Sequence, residues 1–172
     1  SLRFSPPMDL VAMNAARTVS ATVEGLTVGR DDVIYIGSNP LRGRPNTPAV
    51  PCLFGLARAC IDDLAAVAQR RHAPASAAAA ERLAARLHMQ RPPFYALMAG
   101  QDDAEALRVL AQARAAATRL ALDAAGALIV AIGGGANVQT NPAQRRLREA
   151  SVFATWGLTP EAVDMAVSTL AE

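Results

Sequence analysis

The sequence predicts a mainly α fold, an antiparallel bundle of about five helices preceded by a short β-hairpin remnant, and three observations carry that prediction. Apolar residues make up 52% of the chain but aromatics only 4%, and the difference rests largely on alanine, which suits closely packed helices. Leu107, Leu110, Ala113, Ala117, Leu120, Ala124 and Leu128 recur at three and four residues, the period of one helix face. Prolines and capping side chains then cut the second half of the chain into separate helices. At 172 residues the chain can bury one sizeable core.

The first element expected is a ribbon. Thr18 to Val23 alternates polar and apolar, Glu24-Gly25 marks a turn, and Leu26-Thr27-Val28 resumes as a strand. Two short strands are marginal alone. A second apolar run, Val33 to Ile36, leads into Gly37 to Pro51, rich in Gly, Pro, Asn and Arg and read as a linker or crossover. Residues 1–46 are therefore assigned as the end of a β-domain plus linker, and 47–172 as a C-terminal helical bundle.

Helical pattern begins at Ala49 and ends at Arg71, where Arg70-Arg71 complements the negative helix end. Ser76 can cap a second helix, which Pro92-Pro93 should kink or break after Met89. Asp102 or Asp103 begins the third and longest, stopped by Gly133 to Gly135. Asn141 caps the fourth with Pro142 at its first position. Thr159, Pro160 and Glu161 open the fifth in the same manner.

Composition narrows the function classes. The net charge is +2 and all 17 basic residues are arginines scattered along the chain, which argues against a nucleic-acid partner. Cys52 and Cys60 lie eight apart in one helix, about 12 Å along its axis, too far to bridge, and are expected as buried reduced thiols of a cytoplasmic protein. His72 and His88 have no partner at metal-ligand spacing, so no metal is expected. The most apolar run, Ala124 to Ile132, is nine residues, short of the roughly 20 that cross a bilayer, and neither a membrane span nor a signal peptide is expected.

Residues 133 to 157 carry the most specific signal. Gly133-Gly134-Gly135 exposes backbone just before the helix N-terminus at Asn141-Pro142, a combination that suits a phosphate or pyrophosphate. A plain helix C-cap and turn accounts for the same glycines. Arg145, Arg146 and Arg148 follow within two turns and cannot all point one way.

The segment as a whole resembles the C-terminal helical domain of the acyl-CoA dehydrogenases, flavoproteins in which a Gly-Gly loop precedes a proline-started helix bearing an Arg-Asp-Ala triplet. Here the loop is Gly133-Gly134, the helix starts at Pro142, and the triplet reads Arg148-Glu149-Ala150. Upstream, Pro48, Gly55 and Arg71 match the family's first bundle helix. The resemblance implies FAD as cofactor, an acyl-CoA or similar substrate, and a homo- or hetero-oligomer built through the bundle. Carried over residue by residue, it makes Arg71, Gly133 and Gly134 the candidate cofactor-binding residues. It also implies that the chain is a piece of a larger enzyme, inactive alone.

Two departures matter. Asn46 stands where many members have an arginine, and Ala73-Pro74-Ala75 replaces an expected Thr-Phe-Gly that helps hold FAD. More consequential, the family's catalytic glutamate lies eight residues beyond the triplet's Asp, and here that position is Gly157, preceded by Trp156. Glycine cannot accept the α-proton. Nothing acidic occurs from Ile34 to Ile61, and Glu161, four residues late, reads as a first-turn residue of the last helix. The catalytic residue is therefore unknown. The expected function is the C-terminal part of an FAD-dependent acyl-CoA dehydrogenase-like oxidoreductase. The alternatives are a catalytically silent subunit of a heteromeric dehydrogenase, a related flavin-dependent monooxygenase, suggested by Ala143-Gln144-Arg145, and a helical interaction module without flavin.

Overall fold

The computed structural model describes residues 1–33, 48–99 and 104–172. Its contacts divide the chain into two units, Ser1–Arg42 and Gly43–Glu172. Most of the expected linker, Asn46, the boundary at 46/47 and the proposed start at Asp102 or Asp103 lie outside the described residues.

In the first unit, β1 (Leu2–Phe4) pairs antiparallel with β2 (Ala21–Val23), with Leu2 opposite Val23 and Phe4 opposite Ala21. A short antiparallel ribbon precedes the bundle as expected, but its strand pairing differs from the expected one. Its second strand forms as predicted in part, but its partner is the N-terminal segment and not Leu26–Val28. Gly25 adopts φ 59°, and the ribbon instead gains hydrogen bonds beyond its ladder, Ser5 N–H to Ser20 O and Met8 N–H to Thr18 O, both at 2.9 Å. Every strand residue is exposed, so the ribbon buries no apolar face.

The second unit is the helical bundle. Helix α1 (Ala49–Arg71) has the predicted bounds and buries Leu53, Ala57, Cys60, Ile61 and Leu64; it ends where His72 turns left-handed at φ 51°. Helix α2 (Pro74–Met98) departs from expectation at both ends. Ala73 takes the extended cap conformation and Pro74 the first helical position, where its missing N–H costs nothing, so Ser76 lies inside the helix and caps nothing. The helix also continues through Pro92-Pro93 to Met98. The prolines sit within two turns of the helix end, and Phe94 just beyond them is 1% exposed and packs edge-on against Phe54, with centroids 5.8 Å apart. That burial holds the last turns to the core against the lost backbone hydrogen bonds.

Helix α3 (Ala104–Ile132) is the centre of the bundle and packs against the four other helices. Of its predicted stripe, Leu110, Ala117, Leu120, Ala124 and Leu128 are at most 1% exposed, and Leu107 and Ala113 are half-buried against the same core. Ala57 on α1 and Ala117, Ala121 and Ala124 on α3 are wholly buried, and such small side chains let helix axes approach closely. Together with the 3₁₀ turn Gly133–Asn137, α3 is also the one helix, among the described residues, long and apolar enough to cross a membrane; 44% of its most apolar stretch is buried in the bundle. Helices α4 (Pro142–Thr155) and α5 (Pro160–Ala171) start at the predicted caps. The Asn141 side chain accepts from Ala143 N–H, and that of Thr159 from Ala162 N–H.

Candidate functional site

Side-chain contacts fix which ends of the helices meet. Arg71, last residue of α1, donates from Nη1 to Ala131 O at 2.6 Å and from Nη2 to Ile132 O at 3.1 Å, so α1 and α3 end side by side. At α3's end Gly133 takes φ 72°, a conformation that disfavours any side chain, and begins the 3₁₀ turn. Asn141 then ties this turn to α4: its Nδ2 donates to Gly135 O at 3.1 Å while its Oδ1 accepts from Ala143 N–H at 2.9 Å. Arg71, Gly133 and Gly134, far apart in sequence, thus come together at one end of the bundle.

A cleft of about 380 Å³ opens there, lined among others by Asp63, Arg70, Arg71, Ile132, Asn141 and Pro142. Gly134 is exposed, and a Cβ built on it meets nothing within 4 Å. Asp63 of the cleft pairs with Arg146 at 2.8 Å, and the Arg146 side chain is only 17% exposed. The neighbouring Cys60 thiol is pushed up to about 11 by burial, which outweighs the opposing pull of Arg146. Cys52, expected to be buried as well, is exposed, because it falls on the solvent side of α1's first turn; both thiols are free.

The donors at this end are largely occupied. Arg71 is turned inward onto helix carbonyls, where it neutralises the negative end of α3. At the α4 N-terminus, Pro142 has no N–H, Ala143 N–H bonds the Asn141 side chain, and Gln144 N–H bonds Asn141 O at 3.0 Å. Arg70 is exposed, lines the cleft and has no hydrogen bond or ion pair among the described residues. Of the triplet region, Arg145 lies 3.5 Å from Glu149, and Arg148 has no ion pair among the described residues. Among the described residues, the arrangement can present Arg70 and a stretch of bare backbone to an anionic ligand. The one carboxylate among the described lining residues, Asp63, is committed to Arg146.

The other end of α4 is built around a residue the sequence reading missed. Arg114 on α3 is 0% exposed and donates from Nη2 to Phe153 O and, at 3.1 Å, to Trp156 O, closing the C-terminal end of α4. Its Nε and Nη1 have no partner among the described residues, and burial pushes its pKa down to about 10. The signal was available: Arg114 is four residues after Leu110 and three before Ala117, squarely on the buried stripe. Just beyond, Gly157 is exposed with φ 65° and forms the turn into α5, while Glu161 is exposed in that helix's first turn.

Among the described residues no group of His, Cys, Asp and Glu converges as a metal site. No protein-family model matches this sequence, and no curated protein does either.

Proposed function

We propose that the chain is the C-terminal part of an FAD-dependent acyl-CoA dehydrogenase-like oxidoreductase and contributes one wall of a flavin site at the Gly133–Asn141 end of the bundle. One observation supports the reading above the rest: Arg71, singled out by the resemblance, holds the carbonyls just before Gly133 and Gly134 and lines the same cleft as Arg70 and the α4 cap residues Asn141 and Pro142. The fit to FAD is that of a wall and not of a complete cradle, because Arg71 and the first backbone donors of α4 are engaged within the protein.

FAD, when bound, would supply the hydride acceptor. The chain's own contribution would be binding: Arg70 facing a phosphate, the Gly134 backbone allowing close approach, and Arg71 holding the end of α3 so that the glycine turn keeps its shape.

Gly157 favours a second reading within this one. A glutamate there would have to adopt φ near 65°, a region L side chains rarely enter, so the α-proton base is not at this position. A subunit that completes a shared flavin site, with the base supplied by a homologous partner, needs no carboxylate here. The test is an absorption spectrum of the chain purified with a co-expressed glutamate-bearing dehydrogenase subunit. Bound flavin that bleaches anaerobically with an acyl-CoA is the expected result. Flavin absent under every condition would overturn the proposal.

A further inference from the structure

Where α1 meets α2 the surface carries two hollows of different chemistry. The larger, about 600 Å³, is walled by alanines but also by Asp62 and Glu81. The smaller, about 300 Å³, has Arg58, His88 and Arg91 in its lining and no carboxylate, so its charge favours an anion. It shares no lining residue with the Gly133–Asn141 cleft.

One face of α2 builds most of it. Leu87, His88, Arg91 and Tyr95 follow at one, three and four residues, which brings all four within about 100° of arc on the helix. Arg58 approaches from α1. Its Nε bonds both Asp62 oxygens, at 2.8 and 2.9 Å, and its two Nη groups have no partner among the described residues. Arg91 is exposed, with no hydrogen bond or ion pair among the described residues. Two guanidiniums can thus offer N–H groups to one ligand, in the fork geometry that matches a carboxylate.

The remaining wall is apolar and rigid. Tyr95, 46% exposed, stands edge-on to Phe94 with centroids 5.3 Å apart, and Phe94 is itself buried against Phe54. Pro92 adds a fixed ring beside Leu87. Pro92 and Pro93 also deny the carbonyls of His88 and Met89 their usual helical donors. A local cost of this kind, beside a hollow, is characteristic of binding sites. The volume lies at the small end of ligand sites, which suits a small acid with one flat ring and not a dinucleotide.

We propose that this hollow binds a small aromatic carboxylate, its charge between Arg91 and Arg58 and its ring against Tyr95, Leu87 and Pro92. This binding is independent of the flavin reading.

Isothermal titration calorimetry of the full chain tests it, with cinnamate as probe, cinnamyl alcohol as the uncharged counterpart and acetate as an anion without a ring. Cinnamate binds saturably at one site per chain, and each of the other two binds about tenfold more weakly or worse. Arg91→Gln weakens cinnamate binding about tenfold and Tyr95→Ala about fivefold. Arg82→Gln, at an exposed position of α2 outside the hollow, leaves it within about twofold. Circular dichroism shows which variants are folded. Cinnamate that does not bind, alcohol or acetate that binds as well, a folded Arg91→Gln or Tyr95→Ala that binds like the wild type, or an equal loss in Arg82→Gln would overturn the proposal.

Discussion

The two ends of α4 use the same device in opposite surroundings. At the start of α4, Arg71 caps the carbonyls of α3 from an exposed position beside an open cleft and a bare glycine turn. At its finish, Arg114 caps the carbonyls of α4 itself from full burial, with Nε and Nη1 lacking a partner among the described residues. A guanidinium satisfies helix-end carbonyls equally well in geometry at both places. The difference lies in solvent: at the exposed end water covers what the protein leaves unpaired, and at the buried end nothing does. The first end opens into a cleft of about 380 Å³, and the second rests on one wholly buried side chain.

The sharpest way to break this contrast is to remove each arginine. Arg114→Ala should lower unfolding free energy by about 2–4 kcal/mol, combining a cavity with orphaned carbonyls. Arg71→Ala should cost about 0.5–1.5 kcal/mol, since water replaces its hydrogen bonds. Urea denaturation of the two variants reads the difference, and equal losses would contradict the role given to burial.

The glycines sharpen the comparison further. Gly133→Ala should destabilise by about 1–2 kcal/mol because its φ of 72° is left-handed. At Gly134 a Cβ meets open space, so Gly134→Ala should cost well under that in the same assay. The two adjacent substitutions thereby separate the demands of the turn from those of a ligand.

The smallest effect expected is a pH slope at the cleft end. Cys60's folded pKa of about 11 stands above its ordinary 9.0, so the folded state holds the proton more tightly. The stability this contributes is complete below pH 9 and is lost as pH rises through 11. Arg114 acts in the opposite sense but only above about pH 10, where the folded protein begins to release a proton that the unfolded chain still holds. Between pH 9 and 10 the urea midpoint should therefore fall in the wild type and fall less in Cys60→Ala. An undiminished slope in the variant would remove Cys60 as its source.

Much of the bundle was legible because its signals are local. Ala49–Arg71, the Asn141 and Thr159 caps and the α3 stripe each follow from a few neighbouring residues. Apart from the start of α2, where Pro74 displaces the Ser76 cap by a local rule, what failed depended on tertiary context. The partner of β2 lies 17 to 21 residues upstream, since Phe4 pairs with Ala21 and Leu2 with Val23, and no local pattern selects it over Leu26–Val28. Pro92-Pro93 should end a helix by local rules, yet Phe94 in the core carries α2 past them. At the site, the sequence could nominate Arg71 and the glycines but not the inward direction of Arg71, which the nearness of Ala131 and Ile132 decides. Arg114 went unnoticed because a charge on a buried stripe contradicts the usual expectation for arginine.

The Gly133–Asn141 end is the proposed wall of a flavin site. Its most direct test is the flavin content per chain of wild type and Gly134→Glu, each co-purified with the same dehydrogenase partner and matched by circular dichroism. Flavin in the wild type and its loss in a folded variant is the predicted result, because a carboxylate at this open position repels phosphate without disturbing packing. Equal flavin content in both, or none in either, would contradict it.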